Sequence, residues 1–158
     1  MKIAPRIRRY NPGEESILFN VYYTSVHQLA TREYSQEQIQ AWAPRDRDAS
    51  LWEERIRGIN PFVAELNGEL VGYSDLQPSG YIDHFFVSGS HARCGIGTAL
   101  MNHILQEAMS TGLHELTSDV SRTAQPFYEK FGFTVIEQRQ PKVRGVVIPN
   151  AFMRLRIV

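Results

Sequence analysis

The chain has 158 residues, 42% apolar and 22% charged, with 17 basic and 17 acidic side chains. This is enough for one domain, residues 1–158, whose core needs neither metal nor disulfide. Zero net charge gives no global field for nucleic acid or an anionic membrane, no segment approaches the ~20 apolar residues of a membrane span, and the lone Cys94 suits a reducing cytoplasm.

Residues 3–10 read as a short strand, followed by the Asn11-Pro12-Gly13 turn. Ile17, Leu18, Val21, Tyr22, Val26 and Leu29 make a helical stripe over 14–30. Ser35 and Gln38 form a capping-box pattern that opens a short helix ending near Trp42. Another helix spans 48–58, closed by Gly58. PFVAEL and ELVGYSDL then flank Asn67-Gly68, the pair favoured in a two-residue hairpin turn. A third strand, 81–87, precedes an amphipathic helix from Gly95 to about Ser110. Strand 113–120, helix 122–131 and strands 133–140 and 147–157 complete the order. A meander followed by β-α-β-α-β predicts an α/β (α+β) fold with a mixed, mostly antiparallel twisted sheet flanked by helices. Basic residues cluster at both ends without acids, at Lys2, Arg6, Arg8 and Arg9, and at Arg139, Lys142, Arg144, Arg154 and Arg156. Paired in one sheet, they would form a basic edge. His27, His84, His91, His103 and His114 are scattered, so no metal site is expected.

Two segments carry chemistry. In FFVSGSHARCGIGTAL, residues 85–100, a strand runs through Arg93, Gly95 and Gly97 into a helix. A helix N-terminus offers unpaired N–H groups and a partial positive charge, and so forms an anion cradle. Arg93 adds a cation. Position 100 is Leu100, not the third glycine of a dinucleotide fingerprint, and no Gly-Lys-Ser/Thr follows. The second segment, SRTAQPFYEKFGF over 121–133, places Tyr128 on a helix among Phe127, Phe131 and Phe133.

Together, V-x(7)-G-I-G before an amphipathic helix and AQPFYEKFGF some thirty residues later resemble the GNAT N-acetyltransferase superfamily. YSQEQIQAW, YIDHFFV and RGVVIPNAFMR resemble a branch of small bacterial GNAT proteins. The resemblance implies transfer of an acetyl group from acetyl-coenzyme A to a primary amine by direct attack in a ternary complex. It implies that Arg93, Cys94, Gly95, Ile96, Gly97 and Thr98 hold the coenzyme A pyrophosphate, chiefly through backbone amides. Phe86 and Val87 would bond the pantetheine arm and acetyl carbonyl through backbone. Ser121 occupies a place where the family often has Asn. Tyr128 corresponds to the tyrosine that protonates the leaving sulfur. Ala92 stands where Gln or Arg is usual, and Arg93 and Cys94 replace common Gly and Arg.

The amine also needs a base. Asp83, on the strand ending at the acetyl site, is the candidate, with Asp119 acting through water as an alternative. Strand alternation would turn His84 to the opposite face. Tyr34, Trp42, Arg144 and Asn150 are candidates for the amine pocket, with Arg144 able to meet a substrate carboxylate. A non-catalytic acetyl-coenzyme A sensor would share the cradle but lack turnover. The C-terminal strands offer a route to a homodimer.

Overall fold

The computed structural model describes residues 4–157; Met1, Lys2, Ile3 and Val158, and the expectations that fall on them, lie outside these. Strand β1 (Arg6–Arg9) leads into helices α1 (Glu15–Leu29), α2 (Gln36–Trp42) and α3 (Ala49–Ile59). The hairpin β2 (Phe62–Leu66) and β3 (Glu69–Ser74) follows, then β4 (Tyr81–Ile82) and β5 (Phe85–Val87). Helix α4 (Ile96–Ser110), β6 (Glu115–Ser121), α5 (Gln125–Lys130), β7 (Thr134–Arg139), the small hairpin β8 (Lys142–Val143) and β9 (Val146–Val147), and β10 (Asn150–Arg156) complete the chain.

Local chemistry sets most boundaries. Ser35 N–H donates to Gln38 Oε1 at 2.8 Å and Gln38 N–H to Ser35 Oγ at 3.2 Å, closing the capping box of α2. Such a cap contributes about 1 kcal/mol. The Asp48 carboxylate accepts the N–H groups of Ser50 and Leu51 and starts α3. That helix runs past Gly58 and stops at Asn60, whose φ of 43° is left-handed. An Asn accepts this conformation more readily than most residues. Asn67 and Gly68 have φ of 52° and 82°, the turn that joins β2 to β3.

The strands form two four-stranded sheets, ordered β1-β2-β3-β5 and β4-β6-β10-β7. Only β4 and β6 are parallel; the other pairs are antiparallel. The single strand expected over 81–87 is thus two strands in two sheets. Asp75 causes the break. Its Oδ1 accepts the N–H of Asp83 and of His84, each at 2.8 Å. Two consecutive N–H groups aimed at one acceptor interrupt strand alternation, so the chain leaves β6 and joins β3. The basic edge does not form: β1 lies in one sheet, and β7 and β10 lie in the other. Acids meet several of these cations, with Arg8 on Glu14 and Glu65, Arg139 on Asp119, and Arg154 on Glu115.

Helix α4 covers one face of the first sheet, with Ile96 and Leu100 packed on Ala64 and Val71. Helices α1 and α3 cover the other, where Leu18, Val21 and Ile56 meet Val63 and Tyr73. Burying each such side chain stabilises by roughly 1.5–3 kcal/mol.

Asp75→Ala should lower unfolding free energy by about 2–4 kcal/mol in urea titrations, because two N–H groups lose their acceptor. Asp75→Asn keeps an oxygen and should recover at least half of that loss. Equal losses in both variants would contradict the role given to this oxygen.

Candidate active site

Beyond Ile82 the two sheets part. Tyr81 and Ile82 pair with Thr117 and Ser118, whereas Phe85, Phe86 and Val87 pair only with β3. A wedge therefore opens between β5 and the end of β6. Ser88 N–H donates to the Val71 carbonyl, and Asp75 N–H to the His84 carbonyl. Backbone groups alternate sides along a strand, so those of Phe86 face β3 and those of Val87 face the wedge. This corrects the expectation for Phe86: its backbone is turned to Tyr73, and its ring packs on Tyr22 at 4.8 Å between centroids.

Alongside β5 stands the N-terminus of α4. Gly95, its N-cap, has φ of 86° and no side-chain cap. The first backbone bond of the helix is Ala99 N–H to the Gly95 carbonyl. Among the described residues, the amides of Gly95, Ile96, Gly97 and Thr98 have no backbone or side-chain acceptor in the fold. Four such donors beside a partial positive charge suit a phosphate. Ile96 contributes backbone only, since its side chain is buried on the sheet. A Cβ at Gly97 would approach the Phe127 ring to 3.2 Å, so a small residue lets helix and ring meet. Arg93, at φ of 60°, and Cys94 are exposed on the loop.

Tyr128 reaches into the base of the wedge from α5. It is 3% exposed and touches Phe85 and Phe133, at 5.8 and 4.9 Å between ring centroids. Burial holds its phenol well above the ordinary tyrosine range, against the opposing influence of Ser118. It therefore keeps its proton at neutral pH. Ser118 itself donates to the Ile82 carbonyl at 2.7 Å, across the last paired rung before the wedge. Ser121 Oγ accepts the N–H of Ala124 and shapes the turn into α5.

On the helix α1–α3 side of the first sheet lies an aromatic cavity of about 340 Å3. Phe19 and Tyr22 of α1, Trp42 of α2 and Trp52 of α3 wall it, with Arg47, Arg55 and Arg144 on its rim. Trp42 and Arg144 are thus brought to one place, as expected of a pocket. Tyr34 and Asn150 are not. The Tyr34 hydroxyl donates to the Pro149 carbonyl at 2.5 Å and accepts Arg122 N–H at 2.9 Å, so it is a strut between α2 and the second sheet. Asn150 is a strand residue paired with Ser121 and Arg139.

Asp83 and His84 do not face opposite ways. Asp83 ion-pairs with Arg55 of α3, and the His84 ring packs 6.1 Å from Trp52 of the same helix. The break at Asp75 removes the alternation that would have separated them. His84 Nδ1 pairs with the Tyr73 hydroxyl at 2.9 Å, and burial pushes the imidazole down to about 4. Asp119 accepts from Tyr81 at 2.7 Å and from Arg139 at 2.9 Å, and so is fully engaged.

Sequence reading singled out neither Asp75 nor Arg47, Arg55, Tyr22, Trp52 and Tyr73. The helical stripe held Tyr22, and Trp52 sat on a predicted helix, but nothing local showed that they meet.

The chain matches the family model described as an acetyltransferase (GNAT) domain over residues 30–151. It is 34% identical over 151 residues to the uncharacterised N-acetyltransferase YafP of Escherichia coli K12, covering 96% of this chain and 95% of that protein. A GCN5-related N-acetyltransferase from Rhodopseudomonas palustris superposes with a TM-score of 0.94 at 27% identity, over 99% and 98% of the two chains. A putative acetyltransferase of Salmonella typhimurium, YncA, solved with its cofactor acetyl-CoA, superposes at 0.70 with 20% identity over 99% and 95%.

An imidazole held below its unfolded value of about 6.5 stabilises the fold only while neutral. Its contribution is complete above pH 6.5 and is lost as pH falls toward 4. Wild type should lose on the order of 1–2 kcal/mol more than His84→Gln between pH 7 and pH 5 in urea titrations. Asp75 is common to both proteins, so the difference isolates His84. Parallel pH profiles would contradict a neutral buried imidazole.

Proposed function

The chain belongs to the GNAT acetyltransferase family and is an N-acetyltransferase that uses acetyl-coenzyme A; from that premise we propose that the amine attacks directly, with donor and acceptor bound together at the wedge between β5 and β6. The observation that carries this reading is the row of four acceptor-free amides, Gly95 to Thr98, beside the open edge of β5. When bound, acetyl-coenzyme A supplies an activated acetyl thioester and a sulfur leaving group. The amides of Gly95–Thr98 would hold its pyrophosphate, with Arg93 as an added cation and Cys94 contributing backbone. Ala92 removes a side chain from the loop, but the cradle acts through N–H groups, so the departure leaves it intact.

Three residues of the chain then act. Val87 N–H, on the open edge, is a fixed donor for charge developing on a carbonyl oxygen, a type of contact worth ~3 kcal/mol. Tyr128 keeps a proton at neutral pH and delivers it to the departing group. Asp83, on the α3 side with its partner Arg55 lining the cavity, takes the proton from the amine. Trp42 and Arg144 belong to the acceptor cavity. Tyr34 and Asn150 support it through the end of the second sheet. We assign the protein to the cytoplasm, where acetyl-coenzyme A and a free thiol such as Cys94 coexist. No helix among the described residues is long and apolar enough to cross a membrane.

Tyr128→Phe should cut kcat roughly 10²-fold while leaving acetyl-coenzyme A affinity within twofold, measured by thiol release and calorimetry. Unchanged kcat would remove Tyr128 from the chemistry. Asp83→Asn should also lose about 10²-fold in kcat at pH 7, and regain rate at high pH as the amine deprotonates in solution. If His84→Gln shows this pattern and Asp83→Asn does not, His84 is the base.

A further inference from the structure

The cavity on the α1–α3 face has a charge that the acetyl donor does not require. Arg47 lies with its guanidinium 3.3 Å from the centre of the Phe19 ring and 5.4 Å from that of Trp52. Its Nε is buried without a hydrogen-bond partner. Arg144 sits at the tip of the β8–β9 hairpin with φ of 50°, followed by Gly145 at 79°. That turn points its Nη1 at the Ala41 carbonyl, 2.7 Å away, and holds the guanidinium at the rim. Among the described residues, neither arginine has an ion-pair partner. Asp48 caps α3 and Asp83 holds Arg55; exposed Glu53 lies near enough to act on Arg47 through its charge but makes no ion pair with it.

Building on the acetyltransferase reading, we infer that the acceptor is an amine that also carries an oxyanion, a carboxylate or a phosphate, on an apolar or aromatic body. The aromatic walls receive the body by stacking and apolar burial. Arg47 and Arg144 receive the oxyanion through charge-assisted bonds, with the planar fork suited to either anion. Arg47 is half-buried with its Nε–H shielded and free, and an oxyanion at the guanidinium supplies the partner that this N–H lacks. The cavity is large enough for a small metabolite and opens to solvent beside the strand that faces the wedge. Simple cationic polyamines, which bring no anion, are disfavoured.

The two tryptophans of the chain, Trp42 and Trp52, both line this cavity, so intrinsic fluorescence reads its occupancy without turnover. Two matched pairs serve as probes: L-phenylalanine against L-phenylalaninamide, and glucosamine 6-phosphate against glucosamine. The member that carries the carboxylate or phosphate should bind tenfold or more tightly than the partner that lacks it in at least one pair. The pair that discriminates identifies carboxylate or phosphate. That preference should collapse in Arg47→Gln and in Arg144→Gln, with acetyl-coenzyme A affinity within twofold. Should Arg47→Gln fail to fold for want of its stack on Phe19, Arg144→Gln alone decides. Equal affinity within both pairs, no response to any probe, or discrimination that survives the arginine substitutions would overturn the inference. Loss of acetyl-coenzyme A binding in the unmodified protein would instead strike the acetyltransferase reading, leaving the fluorescence result to judge the cavity separately.

Discussion

Two consecutive backbone N–H groups, those of Asp83 and His84, donate to one buried oxygen of Asp75, and the site is organised around that contact. Asp75 is 0% exposed, and burial raises its carboxyl above the usual carboxylate range. The fold accepts this cost because the carboxylate replaces a missing rung of the sheet. A regular strand over 81–87 would have continued beside β6 and sealed the sheet. With the interruption, β4 stays with β6 while β5 pairs with β3 alone. The open edge and the wedge follow.

The first sheet divides the work between its faces. On one side, α4 packs Ile96 and Leu100 against Val71 and brings its acceptor-free amides beside β5. A Cβ at Gly72 would meet Ile96 at 2.9 Å, so α4 lies against the strand at a distance that only glycine allows. On the other side, α1, α2 and α3 supply Tyr22, Trp42 and Trp52, which wall the aromatic cavity. Phe86 belongs to β5 and packs into this aromatic wall, while its neighbours Phe85 and Val87 pack on the α4 side. In the proposed reaction, donor and acceptor would approach β5 from opposite sides of the first sheet. Direct transfer needs this geometry, in which neither molecule must leave before the other arrives.

What was legible in the sequence was local. Ser35 and Gln38 sit three residues apart and cap the same turn, and Asn67-Gly68 makes its turn from its own backbone preferences. The helix start at Gly95-Ile96-Gly97 was legible because a strand, a loop and a helix start are contiguous in the chain. Asp75 was not, since its partners are eight and nine residues away and an acid at a strand end ordinarily reads as a solvated terminus. The same limit hid the meeting of Arg47, Trp52 and Arg144, which come from three separate elements. Tyr34 was a pocket candidate by its place among the first helices, but its hydroxyl is spent on Pro149 and Arg122, contacts of long sequence separation. Asp83 and His84 were separated by an alternation rule that holds only where the strand is unbroken.

In the proposed reaction, one row of backbone amides and one open strand edge bind the acetyl donor. Titration of the 15N-labelled protein with acetyl-coenzyme A, followed by amide resonances, tests it most directly. The largest shifts are expected at Gly95, Ile96, Gly97, Thr98 and Val87, with Tyr34 and Asn150 nearly unmoved, and no comparable response to NADH. Shifts confined elsewhere, or the same pattern with NADH, would contradict it.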